Sequence, residues 1–289
     1  MLKKYKAIFF DWDGTAVKSR KAPVEEAVAV MAPLLGKGVK LAIVSGTTIE
    51  NIAGGKIESY FTKEQLDNLY LGLGRGAYNY AFKDGEPFIF KDGIPDTKTL
   101  LDIHRLCFDI HILLKEKYDF DTDIVFTRPN YCKIDLMVYN NRGDNLFMQA
   151  NELDQLKSSL VEHGITDGLQ GLINISNEIA ANYGLKVAPT CDAKYLEVGL
   201  TSKSDNADEI FKLLQEKYQI KAIDCSFWGD EFVGIEEGIF GSDSFMRTDL
   251  TKEGDFFDVS NVPGRRPGGV QNLGGSIQTF LDFLRIQLL

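Results

Sequence analysis

The sequence predicts an α/β protein whose doubly wound, mostly parallel core sheet is interrupted by an inserted α+β module. Three observations carry that expectation. Short apolar runs alternate with amphipathic helical patterns near both ends of the chain, the signature of βαβ units. The middle mixes helices and strands without that alternation. The last third, read alone, holds too few strands for a sheet of its own. At 289 residues the chain has room for two domains of roughly 150 residues each. One split core explains the pattern better than two sequential domains, with residues 1–82 and 193–289 as core and 83–192 as the insertion.

Ala7-Ile-Phe-Phe10 is the first buried strand and Leu41-Ala-Ile-Val44 the second. Between them Val24, Ala27, Val28, Met31 and Leu35 recur at steps of three and four, which gives a crossover helix one apolar face. Leu69 to Leu73 reads as a third strand, loosened by Gly72, Gly74 and Gly76. The insertion then shows helix from Asp96 to about Lys117, strand from Tyr131 to Tyr139, and helices over Leu146 to Val161 and Asn174 to Tyr183. Leu185 to Ala188 and Tyr195 to Val198 read as further strands. Ala207, Ile210, Phe211 and Leu214 mark a helix stripe, and Ala222 to Trp228 a buried strand. The Gly-, Asp- and Pro-rich stretch from Thr251 to Gly275 reads as an extended loop. Ile277, Phe280, Leu281 and Leu284 form a closing helix with Ser276 as N-cap.

Composition narrows the function classes. With 44% hydrophobic and 26% charged residues the chain is an ordinary globular one. A net charge of −10 argues against a broad nucleic-acid or anionic-membrane surface, yet leaves room for a small phosphorylated ligand held by one or two cations. Cys107, Cys132, Cys191 and Cys225 lie 25, 59 and 34 residues apart, a spacing that encodes neither a zinc site nor a disulfide framework. The apolar run after Lys3, Lys4 and Lys6 ends at Asp11, too short for a signal segment, and no run approaches the ~18 residues of a membrane span. A reduced, cytoplasmic protein is the expectation. The oligomeric state is not encoded.

Four segments carry chemistry. Asp11-Trp12-Asp13-Gly14-Thr15 follows directly on a buried strand, and residues two apart on an extended chain point the same way. Both carboxylates then face the crevice beyond the strand ends where doubly wound sheets bind ligands, while Gly14 lets the backbone turn. The plain alternative is an acidic turn. Ser45-Gly46-Thr47-Thr48 ends the next strand and is expected to open a helix, a natural anion site or equally a simple N-cap. Lys203 precedes the Ala207 stripe, where a cation opposes the helix dipole unless it answers an anion. A solvated lysine is the ordinary alternative. Trp228-Gly229-Asp230-Glu231 repeats the first arrangement, an apolar strand ending in acid. Such oxygen ligands at neighbouring strand ends suit Mg²⁺.

In this order the four segments resemble the four motifs of the haloacid dehalogenase superfamily, in its phosphatase branch. The resemblance covers the core and implies a Rossmann-like sheet. It also implies Asp11 as nucleophile, Asp13 as general acid and base, and Ser45, Gly46 and Lys203 as the phosphate-holding group. Mg²⁺ would be the cofactor, bound through Asp11, Asp13, Asp230 and Glu231. Dehalogenases of the superfamily lack the second acid, so Asp13 favours phosphoryl transfer. The insertion, between the second and third motifs, looks like the type C2 cap of the Cof-like and sugar-phosphatase subfamilies, which implies a sugar phosphate or similar small metabolite as substrate. One departure stands out: where that branch often reads Gly-Asp, two residues, then Asn-Asp, this chain has Val233 and Gly234. Glu231, Glu236, Glu237 and Asp243 are candidates for the missing acid, with Glu231 preferred because adjacent acidic pairs occur elsewhere in the superfamily.

Selectivity is expected from the insertion. Arg128, Asn130, Tyr131 and Lys133 form a polar cluster at the entry to its predicted strand, with a solvated turn as the plainer reading. His104 and His111 share one helix face among Leu and Phe, a helix flank rather than a metal site. Two other functions fit the same residues: a sugar phosphomutase, which returns the phosphoryl group to a sugar, and a non-catalytic phosphosugar-binding protein, which the incomplete fourth motif suggests.

Overall fold

The computed structural model describes residues 3–140 and 151–289. Along the chain lie β1 (Ala7–Phe10), α1 (Glu25–Gly36), β2 (Lys40–Ser45), α2 (Lys63–Leu66), β3 (Leu69–Leu73), β4 (Tyr78–Lys83) and β5 (Glu86–Asp92). Next come α3 (Thr97–Tyr118), β6 (Asp123–Val125), β7 (Tyr131–Asp135), α4 (Glu152–Glu162), α5 (Gly168–Asn182), β8 (Thr190–Cys191) and β9 (Tyr195–Gly199). The chain closes with α6 (Lys203–Tyr218), β10 (Cys225–Gly229), β11 (Gly234–Glu236), β12 (Ile239–Phe240), β13 (Asp255–Asp258), β14 (Val270–Asn272) and α7 (Ser276–Leu288).

Two compact units result. The first runs to Gly93 and resumes over Ser202–Gly234 and Phe240–Leu289; the second holds Ile94–Thr201 and Ile235–Ile239. The sequence placed the changeovers at 82/83 and 192/193, whereas the units exchange at 93/94 and 201/202. The displacement has a cause: β4 and β5 continue the core sheet, while β9 pairs within the second unit.

In the first unit an eight-stranded sheet runs β14-β13-β10-β1-β2-β3-β4-β5. All pairs from β14 to β3 are parallel, and only β4 and β5 are antiparallel. This is a mostly parallel, Rossmann-like α/β core, as expected. Its central strands are apolar without alternation because both faces are covered. Phe9, Phe227 and Phe256 stack across β1, β10 and β13 with centroids 4.7 and 4.6 Å apart, in a cluster with Ala207, Ile210 and Phe211 of α6. Ile8, Phe10 and Trp228 belong to the other layer with α1 and α7. β1 is flanked by β2 on one side and β10 on the other, so the strand order reverses there, and the carboxyl ends beside such a reversal are where doubly wound sheets bind ligands.

In the second unit an antiparallel sheet of order β6-β7-β9-β8 carries Cys132, Ile134, Leu196 and Val198 in one core with Ile103, Leu106 and Ile110 of α3 and Leu169 and Leu172 of α5. The alternate residues Lys133 and Glu197 are opposed in register and paired at 2.6 Å. Asp96 caps α3 through Thr99 N at 2.7 Å. Ile235 and Ile239 complete this core, although they come from the far side of the chain. The carboxylate of Glu236 accepts a hydrogen bond from Leu169 N at 2.9 Å and so caps α5.

Several expectations change. The extended loop contains β13 and β14, which are too short and polar-flanked to stand out. No helix follows Ser45-Gly46-Thr47-Thr48: short 3₁₀ turns at Ile49–Asn51, Ala53–Gly55 and Ile57–Tyr60 take its place, broken by Gly54 and Gly55 at positive φ. Leu185 to Ala188 is irregular, and Thr190–Cys191 pairs instead. α5 begins at Gly168, earlier than expected, and β7 stops at Asp135. Ser276 is the first residue of α7, with Gly275 before it as a cap at φ 77°. Of the helix expected over Leu146 to Val161, α4 covers Glu152 onward, and residues 146–150 lie outside the described residues. All four cysteines are buried and free. Among the described residues no helix is long and apolar enough to cross a membrane.

Candidate active site

The site grows out of the reversal point between β1 and β10. Phe10 pairs with Trp228 in register, and Asp11 N donates to Trp228 O at 3.0 Å, so Asp11 and the Gly229-Asp230 segment leave the sheet side by side. Two glycines make room for the acids. Gly14 turns the chain at φ 84°, and a Cβ there would meet Asp230 Oδ2 at 2.2 Å. A Cβ on Gly229 would meet Asp243 Oδ2 at the same distance, 2.2 Å. Thr15 Oγ1 donates to Asp230 Oδ1 at 3.0 Å and fixes its rotamer.

Asp11, Asp230 and Asp243 each place a carboxylate oxygen within 4.8 Å of the others. Lys203 joins them: its Nζ lies 3.0 Å from Asp11 Oδ1 and 2.7 Å from Asp243 Oδ1. The lysine opens α6 behind Ser202, whose capping box with Asp205 puts an anion in the first turn where the dipole favours one. Burial raises the Asp11 pKa to about 7; Lys203 pulls it down, while the charges of Asp243 and Glu231 push it up. Asp230 is raised well above the usual carboxylate range, by burial first and then by Asp243, Glu231 and Asp11. Burial opposes the charge of Lys203, yet Asp11, Asp243 and Glu231 outweigh it and raise its pKa.

One ammonium faces three clustered carboxylates. The remaining negative charge, the all-oxygen donor set and the spaces kept by Gly14 and Gly229 suit a hard divalent cation. The expected residues divide accordingly. Asp11, Asp230 and Lys203 come together, and Asp243 joins them. Glu231 does not supply a cluster oxygen: its backbone N donates to Asp243 Oδ2 at 2.8 Å, and its Oε2 accepts from Ser242 Oγ at 2.7 Å. Glu236 caps α5 in the second unit, and Glu237 is exposed. Asp13 also stands outside the trio, half-buried, with Oδ2 3.1 Å from Arg20 Nη2. Burial raises its pKa against the pull of Arg20.

Ser45 ends β2 as a buried residue, Gly46 is exposed, and Thr47 Oγ1 is buried with no hydrogen-bond partner among the described residues. In the second unit Asn130 is fully buried and donates through Nδ2 to Thr201 Oγ1 at 2.8 Å, Tyr131 is buried, and Arg128 is half-buried. Lys133 is engaged with Glu197. His104 packs edge-on against Phe126, and His111 Nδ1 bonds Thr122 Oγ1 at 2.7 Å, both as helix flanks.

Sequence reasoning undervalued Asp243 because it sits in a Gly-Ser-Asp turn well beyond Asp230, with the β11–β12 hairpin between them. Gly229 makes the space for Asp243 only in the fold, so no local signal in the sequence marked it.

Solved structures share the overall fold. The chain resembles IMP-bound IMP-nucleotidase of Plasmodium falciparum with a TM-score of 0.60 and 15% identity, over 99% of this chain and 68% of that one. It resembles trehalose-6-phosphate phosphatase of Aspergillus fumigatus at 0.56 and 14%, over 98% and 92%. A protein of Eubacterium rectale matches at 0.52 and 14%, over 98% of both chains. The chain shares the fold of these proteins. No protein-family model and no curated protein matches the sequence. Within this fold, Asp11, Lys203 and Asp230 gather at the strand-order reversal, and the long segment of the second unit, Ile94–Thr201, is inserted between Ser45 and Lys203.

Proposed function

We propose that the protein is a Mg²⁺-dependent phosphomonoester hydrolase acting through an aspartyl phosphate on Asp11. The observation that carries this reading is the contact of Asp11 with Lys203, 3.0 Å apart and both buried, inside a trio of carboxylates. A structural ion pair has no need of two further acids. Magnesium held by Asp11, Asp230 and Asp243 would neutralise charge on the phosphoryl oxygens, the standard contribution of such an ion.

The rest falls to the chain's own groups. Lys203 and the Ser45-Gly46 segment hold the phosphate dianion against Asp11, whose carboxylate oxygen attacks phosphorus as the ester P–O bond breaks. Asp13, kept towards its neutral form by burial, gives its proton to the departing oxygen. The resulting carboxylate then takes a proton from water, which attacks the aspartyl phosphate, releases inorganic phosphate and restores Asp11. Splitting one displacement into two suits a reaction whose uncatalysed form is among the slowest known.

A small phosphorylated metabolite, with a sugar phosphate foremost, is the proposed substrate. The net charge of −10 supports recognition by a local cationic group over a polyanion surface. The third acid supplied by Asp243 favours catalysis over simple binding. Phosphate release should be measured across a panel of phosphorylated sugars, nucleotides and cofactors with Mg²⁺ and with chelator. The expected result is chelator-sensitive release from some members, lost in Asp11→Asn. Retention of a tenth of the activity by that variant would remove Asp11 as nucleophile, and an isomeric sugar phosphate in place of free phosphate would identify a mutase.

A further inference from the structure

Arg20 belongs to none of the four motif segments, yet it touches Asp13. Its Nη2 lies 3.1 Å from Asp13 Oδ2, with side-chain exposures of 33% for Arg20 and 11% for Asp13. A solvent-exposed pair contributes about 0–1 kcal/mol and needs no functional account, but this one is partly buried. Two features set this one apart. The loop that delivers Arg20 is closed on itself: Ala16 N and Val17 N both donate to Trp12 O at 3.0 Å, Gly14 N to Val17 O at 2.7 Å, and Ala22 N to Ser19 O at 2.8 Å. Second, each partner keeps one buried polar atom with no hydrogen-bond partner among the described residues, Nε of Arg20 and Oδ1 of Asp13. Buried polar atoms are usually satisfied, so an unused donor beside an unused acceptor calls for an explanation.

A ligand oxygen is the group such a pair can receive. Asp13 Oδ1 is free to share a proton with it, while the guanidinium restrains the other carboxylate oxygen. We propose that Arg20 is a positioning residue that holds Asp13 in line with the leaving oxygen, so that the site can act on phosphate esters of alcohols, whose leaving groups need a proton. This rests on the phosphatase reading above. Alkoxides depart poorly without a proton, and a correctly placed acid contributes about 10²–10⁴-fold. An activated aryl oxide departs without that help.

The test compares kcat/KM for an alkyl phosphate and for 4-nitrophenyl phosphate, with Mg²⁺, in wild type, Arg20→Ala, Arg20→Lys and Asp13→Asn, each checked for folding by circular dichroism. In Arg20→Ala the alkyl-to-aryl ratio should fall at least about tenfold. Asp13→Asn should shift it in the same direction, and Arg20→Lys should recover part of it. Equal losses on both esters would mark Arg20 as a structural residue and overturn the inference, as would an unchanged ratio. Wild-type protein that hydrolyses neither ester would overturn the phosphatase reading itself, whereas an active wild type with an unmoved ratio in Arg20→Ala would overturn only the role of Arg20.

Discussion

The carboxylate of Asp243 rests against the Cα of Gly229, where any added Cβ would lie 2.2 Å from Oδ2 and 2.3 Å from Cγ. Gly229 ends β10 without the positive φ that would itself demand glycine, so the space for Asp243 is what the position requires. Gly229→Ala should fold and displace the acid, breaking its contacts with Lys203 and with Glu231 N. Divalent-cation affinity, read by calorimetry, should weaken about tenfold or more, the range for a change just behind a ligand. Unchanged affinity would show that Asp243 is not a ligand.

Asp243 and Glu231 can be separated directly. Asp243→Asn removes a cluster charge and should weaken Mg²⁺ binding at least about tenfold. Glu231→Gln keeps the backbone donor to Asp243 and changes a carboxylate already engaged by Ser242. It should shift affinity by no more than about threefold, as expected for a charge acting from outside the cluster. Equal losses would place Glu231 among the ligands.

What the sequence made legible follows from where the signals are local. Ala7–Phe10 and Asp11 stand next to each other, so an unbroken apolar run ending in an acid makes the strand and the place of Asp11 legible together, whereas Asp13, two residues on, pairs with Arg20 outside the carboxylate trio. Lys203 was legible because a cation at a helix start calls for an anion, and Asp11 and Asp243 answer it. Asp243 was only one candidate among four, since its partner is a distant lysine and its space is made by a distant glycine. β13 was hidden for another reason: Asp255-Phe-Phe-Asp258 is a four-residue strand with acids at both ends, one of them buried against Arg266. The α5 cap was illegible because Glu236 arrives from the far side of the chain, while the local candidate Asp167 makes no capping bond.

That cap gives a stability prediction confined to one unit. Glu236→Ala leaves Leu169 N without its acceptor and should destabilise the second unit by about 1 kcal/mol. Hydrogen exchange should quicken in the first turn of α5 while the core sheet is unaffected. Unchanged protection at Leu169 would show that the capping bond contributes nothing.

Acid clustering without a cation should make stability depend on pH. The Asp11 pKa is raised in the folded protein from 3.8 to about 7, and that of Asp230 is raised too, so between the two Asp11 values the folded state binds protons that the unfolded state releases. Stability from this source is full below the unfolded value and lost as pH rises through the folded one. Chelated wild type should therefore lose melting temperature relative to Asp11→Asn between about pH 4 and about pH 7, and Mg²⁺ should restore it. Parallel pH profiles for the two chelated proteins would contradict the raised value.

Beside the segment that carries Asp230, the loop that follows β13 depends on a buried ion pair. Arg266 Nε lies 2.6 Å from Asp258 Oδ2, with exposures of 7% and 0%, and its other donors reach Ser260 Oγ at 3.1 Å, Val262 O at 2.6 Å and Gly264 O at 2.7 Å. Asp258 pairs in register with Gly229, and Val259 N donates to Gly229 O at 2.9 Å. Removing the guanidinium would leave a buried carboxylate uncompensated, so Arg266→Met should destabilise the protein by about 3–5 kcal/mol in chemical denaturation. Combining it with Asp258→Asn removes the stranded charge and should recover a large part of that loss. A single variant as stable as wild type would show the loop to be held by other contacts. A double variant no better than the single would assign the loss to the loop bonds of Arg266 in place of its charge.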